Sequence, residues 1–106
     1  MLENFTYIAD LQEKLEKIPE DSIVSRTLFS DDNLKGVLFG FAPGQELSEH
    51  TASTPAVIHI LEGQGRLTFG EESRAAKPGT WVYMKPNLPH SLLAETPLVM
   101  LLLLIK

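Results

Sequence analysis

Gly44-Gln45-Glu46-Leu47-Ser48-Glu49-His50 is followed, after a short polar link, by Ala56-Val57-Ile58-His59-Ile60-Leu61-Glu62-Gly63. Further on, Gly79-Thr80-Trp81-Val82-Tyr83-Met84-Lys85-Pro86-Asn87-Leu88-Pro89-His90 repeats the plan of a glycine turn, a short strand pattern, a proline turn and a histidine. Strand side chains alternate faces with period two. Positions 50 and 52 therefore share one face of their strand, positions 56, 58 and 60 share one face of the next, and both faces are expected to point inward. Turn signals recur outward from these stretches: Ser30-Asp31-Asp32-Asn33, Gly63-Gln64-Gly65, Gly70-Glu71-Glu72, Lys77-Pro78-Gly79 and Thr96-Pro97. Strands spaced by about 8 to 12 residues indicate an all-β sandwich or barrel. The candidate strands are Ile23–Phe29, Leu34–Ala42, Glu46–His50, Ala56–Glu62, Gly65–Phe69, Ser73–Ala76, Trp81–Met84, His90–Glu95 and Leu98–Ile105.

One segment breaks the pattern. Asp10-Leu11-Gln12-Glu13 reads as a capping box, with Asp10 as N-cap and Glu13 reaching back. Leu11, Leu15 and Ile18 follow at helical spacing, and Pro19 closes the run. The pattern predicts a short helix that docks its apolar stripe on the barrel, since so short a helix is marginal alone. The organisation expected is an N-terminal extension over residues 1–22 and a single barrel domain over residues 23–106.

A chain of 106 residues is one domain. At this size roughly two-thirds of the unfolded chain's surface is buried. The net charge is −5, and the nine basic residues are scattered. Phosphate recognition needs clustered Lys and Arg, so a nucleic-acid surface and an anionic membrane surface are both disfavoured. There is no cysteine, which excludes disulfides, thiolate metal sites and cysteine nucleophiles. Met1-Leu2-Glu3-Asn4 carries an acid and no basic n-region, so no secretory signal is expected. The apolar run Leu98–Ile105 is too short for a membrane span of about 20 residues. The expected location is the cytoplasm.

The two quoted stretches resemble the two motifs of the cupin superfamily. The first motif runs Gly, five residues, His, one residue, His, three or four residues, Glu, six residues, Gly. Gly44, His50 and Gly63 stand at matching positions, but Ala52 replaces the second His and Ala56 the Glu. The second motif runs Gly, five residues, Pro, one residue, Gly, two residues, His, three residues, Asn. Gly79 and His90 match, Pro86 is one place late, Asn87 stands for the Gly, and Ala94 stands for the Asn. Asn87 can take the left-handed backbone that such a turn needs. The opening Ser25-Arg26-Thr27-Leu28 also resembles small single-domain cupins, of the RmlC-like type, whose functions are largely unassigned. The resemblance implies a double-stranded β-helix, or jelly-roll barrel.

It also implies a divalent transition metal held by three histidines and a carboxylate. Only His50 and His90 of that set remain. Catalytic zinc usually has three protein ligands, so no tight metal is expected here. His59 is a weaker third candidate, because alternation turns it away from positions 58 and 60. Glu49 should likewise face away from its neighbour His50. The expected pocket comprises His50, His90, Ala52, Ala56, Ile58, Ile60 and Leu92, with Ala94 on the same face. Either Val82 and Met84 or Trp81 and Tyr83 complete it, and Tyr83 is included as a hydrogen-bond donor. Met100 is expected in the core.

An apolar pocket with a few polar groups describes a small-molecule site. The leading expectation is a small-molecule-binding protein with His50 and His90 at the pocket. The alternative is a metal-dependent enzyme, oxygenase- or isomerase-like, with an incomplete ligand set. Acid–base chemistry between the histidines and a vestigial pocket are two further readings. Eight consecutive apolar residues at Leu98–Ile105 imply a strand covered on both faces. A homodimer, with the outer face of one sheet packed on its mate, would supply that cover. Gly63-Gln64-Gly65 sits at a strand end and does not open a helix, so it is no phosphate loop.

Overall fold

The computed structural model describes residues 4–15 and 17–106. Residues 1–3, in which no secretory n-region is read, and Glu16, inside the expected helix, lie outside the described residues. Among the described residues, nine strands follow one short turn. They are β1 (Ile23–Ser30), β2 (Leu34–Phe41), β3 (Glu46–His50), β4 (Ala56–Glu62), β5 (Gly65–Phe69), β6 (Glu72–Ala76), β7 (Trp81–Met84), β8 (His90–Ala94) and β9 (Leu98–Ile105). They form a five-stranded sheet, β1-β2-β9-β4-β7, and a four-stranded sheet, β3-β8-β5-β6. Neighbouring strands pair antiparallel throughout both sheets. The fold is all-β, a cupin-type jelly-roll barrel. Among the described residues no helix is long and apolar enough to cross a membrane.

The expected helix is corrected. Only one 3-10 turn forms, Leu11–Lys14, and Leu15 is already extended. Asp10 caps it as read, its carboxylate accepting from the Gln12 amide at 3.1 Å. The apolar stripe still docks. A Cβ added to Gly40 would overlap side-chain carbons of Leu15 and Ile18, so both residues sit against this β2 glycine. Packing holds these side chains there, helped by the Arg26 guanidinium, which donates to the Lys14 carbonyl at 3.2 Å, and neither contact requires a helix.

Alternation divides the five-stranded sheet. Phe39 and Phe41, Leu98 and Met100, Ala56, Ile58 and Ile60, and Val82 and Met84 belong to the core cluster or pack against it. Leu67, Leu92 and Ala94 meet them from the four-stranded sheet. Phe41, Ile60, Leu98 and Ala94 are completely shielded from solvent. Each large side chain buried in this way contributes about 1.5–3 kcal/mol. The barrel interior is therefore a packed core.

Candidate functional site

His50 closes β3 and His90 opens β8, and the two are register partners. The pairing shifts between Leu47 and His50, so both residues face the interior although an odd step separates them. The two imidazoles lie with centroids 4.3 Å apart and planes tilted by 57°. His50 is exposed at the barrel mouth, whereas His90 is buried beneath it.

The same backbone device orients both rings. His50 Nδ1 lies 2.9 Å from the Ser48 carbonyl, and His90 Nδ1 lies 2.8 Å from the Leu88 carbonyl. A carbonyl oxygen only accepts, so each Nδ1 carries the proton. Each neutral ring then offers an Nε2 lone pair. Two acceptors stand side by side. The loops carrying them are also joined. Asn87 adopts φ 66°, the left-handed conformation expected of it, and its amide donates to the Ala52 carbonyl at 2.7 Å. Ala52 has no ligand side chain, yet its backbone helps to place His90.

Burial lowers the pKa of His90 below the ordinary 6.5, and a proton on His50 would lower it further. The bond to Leu88 acts in the opposite direction and does not reverse the shift. The unfolded chain then binds a proton that the folded one refuses. Stability is full above about pH 6.5 and declines as the pH falls toward the lower folded value. The melting temperature of the wild type is expected to drop between neutral and mildly acidic buffer more than that of His90→Gln. Equal drops in the two proteins would show that His90 is not responsible.

Ile58 and Leu92 line the space beside the histidines, together with Leu47, Met100 and Leu102. Ala56, Ile60 and Ala94 are buried in the core cluster and do not reach that space, and Ala52 is half-buried in its loop. Tyr83 is corrected. Val82 and Met84 pack inward, which leaves Tyr83 and Trp81 on the outer face, 50% and 60% exposed. The space beside the histidines is small. The space is only about 10 Å³, near the minimum for one water. Alanine at positions 52 and 56 removed polar groups, but Met100, Ile58 and Leu102 occupy the interior. Sequence inspection missed the carbonyls of Ser48 and Leu88. The recurrence of a carbonyl two residues before each histidine is visible only once the turns have folded.

The metal implied by the resemblance does not fit the donors present. Among the described residues no three of His, Cys, Asp and Glu come together. His59 pairs with Trp81 and Leu101 on the outer face, away from His50 and His90. Glu49 is exposed. Two imidazoles and two methyl groups do not make a tight divalent site.

The sequence matches the Cupin domain family over residues 37–105. No curated protein matches it. In structure it is similar to the conserved protein SPY1581, of unknown function, from Streptococcus pyogenes. That match has a TM-score of 0.84, 29% identity, and coverage of 97% of this chain and 90% of that one. A cupin 2 conserved barrel domain protein from Leptotrichia buccalis matches with TM-score 0.82 and 33% identity, over 91% of this chain but 46% of that one. The DMSP lyase DddQ from Ruegeria pomeroyi matches with TM-score 0.75 and 20% identity, over 81% of this chain and 48% of that one. At that identity it shares the fold alone.

Proposed function

The chain belongs to the cupin domain family, and from that premise we propose that it binds a small molecule through His50 and His90 at the barrel mouth. A fold shared with a lyase does not transfer its chemistry, so the reading rests on the site itself. The observation that carries it is the pair of backbone-tethered imidazoles, which leaves two Nε2 acceptors beside an apolar wall. Such a pair suits a ligand with a compact apolar body and an ammonium group that donates to both nitrogens, or a hydroxyl that donates to one of them. A carboxylate would need a proton on one Nε2 first, so its affinity should rise as the pH falls. With so little interior space, the ligand's polar group sits at the mouth, and its apolar part enters only where Met100 yields. Methionine is the side chain best able to do so.

The test is a screen of small alcohols, amines and carboxylic acids, read by proton–nitrogen correlation spectra of the imidazoles. Hits should move the His50 and His90 resonances together and disappear in His50→Ala and His90→Ala variants that remain folded. Hits that survive both substitutions would place the ligand elsewhere. The metal-dependent reading has one observation in its favour: metal-bound imidazoles usually have their other nitrogen tethered in this manner. Elemental mass spectrometry of protein purified without chelators decides it. Stoichiometric transition metal that vanishes in His50→Ala would replace the metal-free reading.

A further inference from the structure

The nine basic residues are scattered along the sequence, but folding gathers three of them. Lys14, Lys17 and Arg26 line one cleft of about 410 Å³ between the N-terminal segment and β1. No carboxylate lines it, although Glu13, Glu20 and Asp21 are close in sequence. In a chain of net charge −5 this is a local reversal of sign. The cleft shares no lining residue with the space beside His50 and His90.

Docking of the N-terminal segment builds it. Leu15 and Ile18 sit in the Gly40 notch of β2. Val24 and Arg26 are the β1 register partners of Gly40 and Leu38, so they stand beside that notch. Anchoring at positions 15 and 18 holds their chain neighbours Lys14 and Lys17 along the same border. One contact then ties the two walls together: Arg26 Nη1 donates to the Lys14 carbonyl at 3.2 Å. A guanidinium has five N–H donors, and this bond uses one. Among the described residues the one ion pair is Arg74–Glu72, outside the cleft.

The polar side chains of the cleft are three cations and the Ser25 hydroxyl. Such a set calls for a ligand rich in acceptors and negative charge. One guanidinium fork already satisfies the two oxygens of a carboxylate. Two further ammonium groups and a hydroxyl exceed what a carboxylate can use. A phosphomonoester carries close to two charges at neutral pH and three strongly accepting oxygens. The remainder of the lining is apolar, with Leu15 and Val24 half-buried and Pro19 at the rim. The volume is in the usual range of about 300–1,000 Å³ for small-molecule sites, so a bare phosphate would leave most of it empty. Three cations are too few for a polyanion that engages about 6–10 phosphates.

We propose that this cleft is a second binding site, for a phosphomonoester with a small apolar body. Arg26 and the two lysines hold the phosphate, and the body lies on Leu15 and Val24.

The probe is phenyl phosphate, titrated into isotope-labelled protein at low ionic strength and about pH 8, where free imidazole is neutral and the phosphate is a dianion. The amides of Leu15, Lys17, Val24 and Arg26 should shift together and saturate at one equivalent, while the His50 and His90 ring resonances stay in place. Arg26→Gln should weaken binding at least about tenfold, the loss expected for charge-assisted hydrogen bonds. Lys17→Gln keeps the test independent of the Arg26–Lys14 bond. It should weaken binding severalfold with an unchanged melting temperature, since the Lys17 side chain makes no hydrogen bond among the described residues. Benzoate, which lacks the second charge, and inorganic phosphate, which lacks the apolar body, should each bind at least about tenfold more weakly. No saturable shift at the cleft, shifts confined to the histidines, or undiminished binding in both variants would overturn the site. Benzoate or inorganic phosphate binding as tightly as phenyl phosphate would overturn the assigned ligand class.

Discussion

Gly63→Ala is expected to leave little or no folded protein. Gly63 follows β4 at φ 88°, a conformation that costs an L-residue roughly 1–2 kcal/mol. A Cβ there would also collide with the Pro97 carbonyl and lie 2.7 Å from Leu98 Cα. Those atoms belong to the backbone that leads into β9, so they cannot rotate away. Overpacking of a filled region costs roughly 1–3 kcal/mol where side chains can adjust, and more where they cannot. The sum is a large part of a total stability of roughly 5–15 kcal/mol. Gly79→Ala provides the comparison. It has φ 93°, but nothing lies within 4 Å of its missing Cβ, so it should lose the backbone term alone. Urea midpoints measure both. Similar losses in the two variants would mean that the Pro97 segment can retreat.

Met100→Ala should produce the second large change, and it connects stability to the site. Met100 is 1% exposed and forms part of the wall beside His50 and His90. Truncation of a buried methionine costs about 2–5 kcal/mol, the larger values arising where the surroundings do not collapse. For a domain of this size each kcal/mol is worth about 4–8 °C in melting temperature. The vacated volume should join the small space next to the histidines. An apolar cavity of this kind takes up benzene or xenon, and such a ligand should restore part of the melting temperature through its preference for the folded state. Met84→Ala should cost a similar amount, because Met84 is equally buried, but it does not line the space beside the histidines. Benzene should then shift the His50 and His90 resonances in Met100→Ala and leave them in place in Met84→Ala. The opposite pattern would mean that the methionine walls are assigned to the wrong neighbours.

The strand pattern was legible because the turns announce themselves through glycine, proline and asparagine. β1, β2, β6 and β8 end within a residue of their expected bounds. Asn87 illustrates why: its small polar side chain tolerates the left-handed turn, so the position could be assigned before the fold was known. The helix was not legible. Capping and spacing favour helix over Leu11–Ile18, but contacts with Gly40 reward any backbone that presents Leu15 and Ile18. Local propensity lost to tertiary packing. The pairing of His50 with His90 was visible through the motif spacing. Their proton positions were not, because the carbonyls that set them depend on the β3 register shift and the left-handed Asn87 turn. The small size of the space beside the histidines was not legible for a related reason. Alanines mark where ligand side chains are missing, and they carry no information about which distant methionine fills the space. Tyr83 needed the inward packing of Val82 and Met84, a choice that alternation alone leaves balanced.

The two sheets end in β1 and β7, and in β3 and β6. Each of these four borders discourages a further strand. β1 carries Arg26 and an irregular register between Thr27 and Phe29. β3 carries Glu46 and Glu49 with its own shift, and β6 presents the Glu72–Arg74 pair. β7 has four residues and runs into Lys85-Pro86. Charges, bulges and prolines at such borders block the hydrogen-bonded ladder through which sheets extend into fibrils. A concentrated solution of this protein should therefore contain discrete particles and resist growth into ribbons.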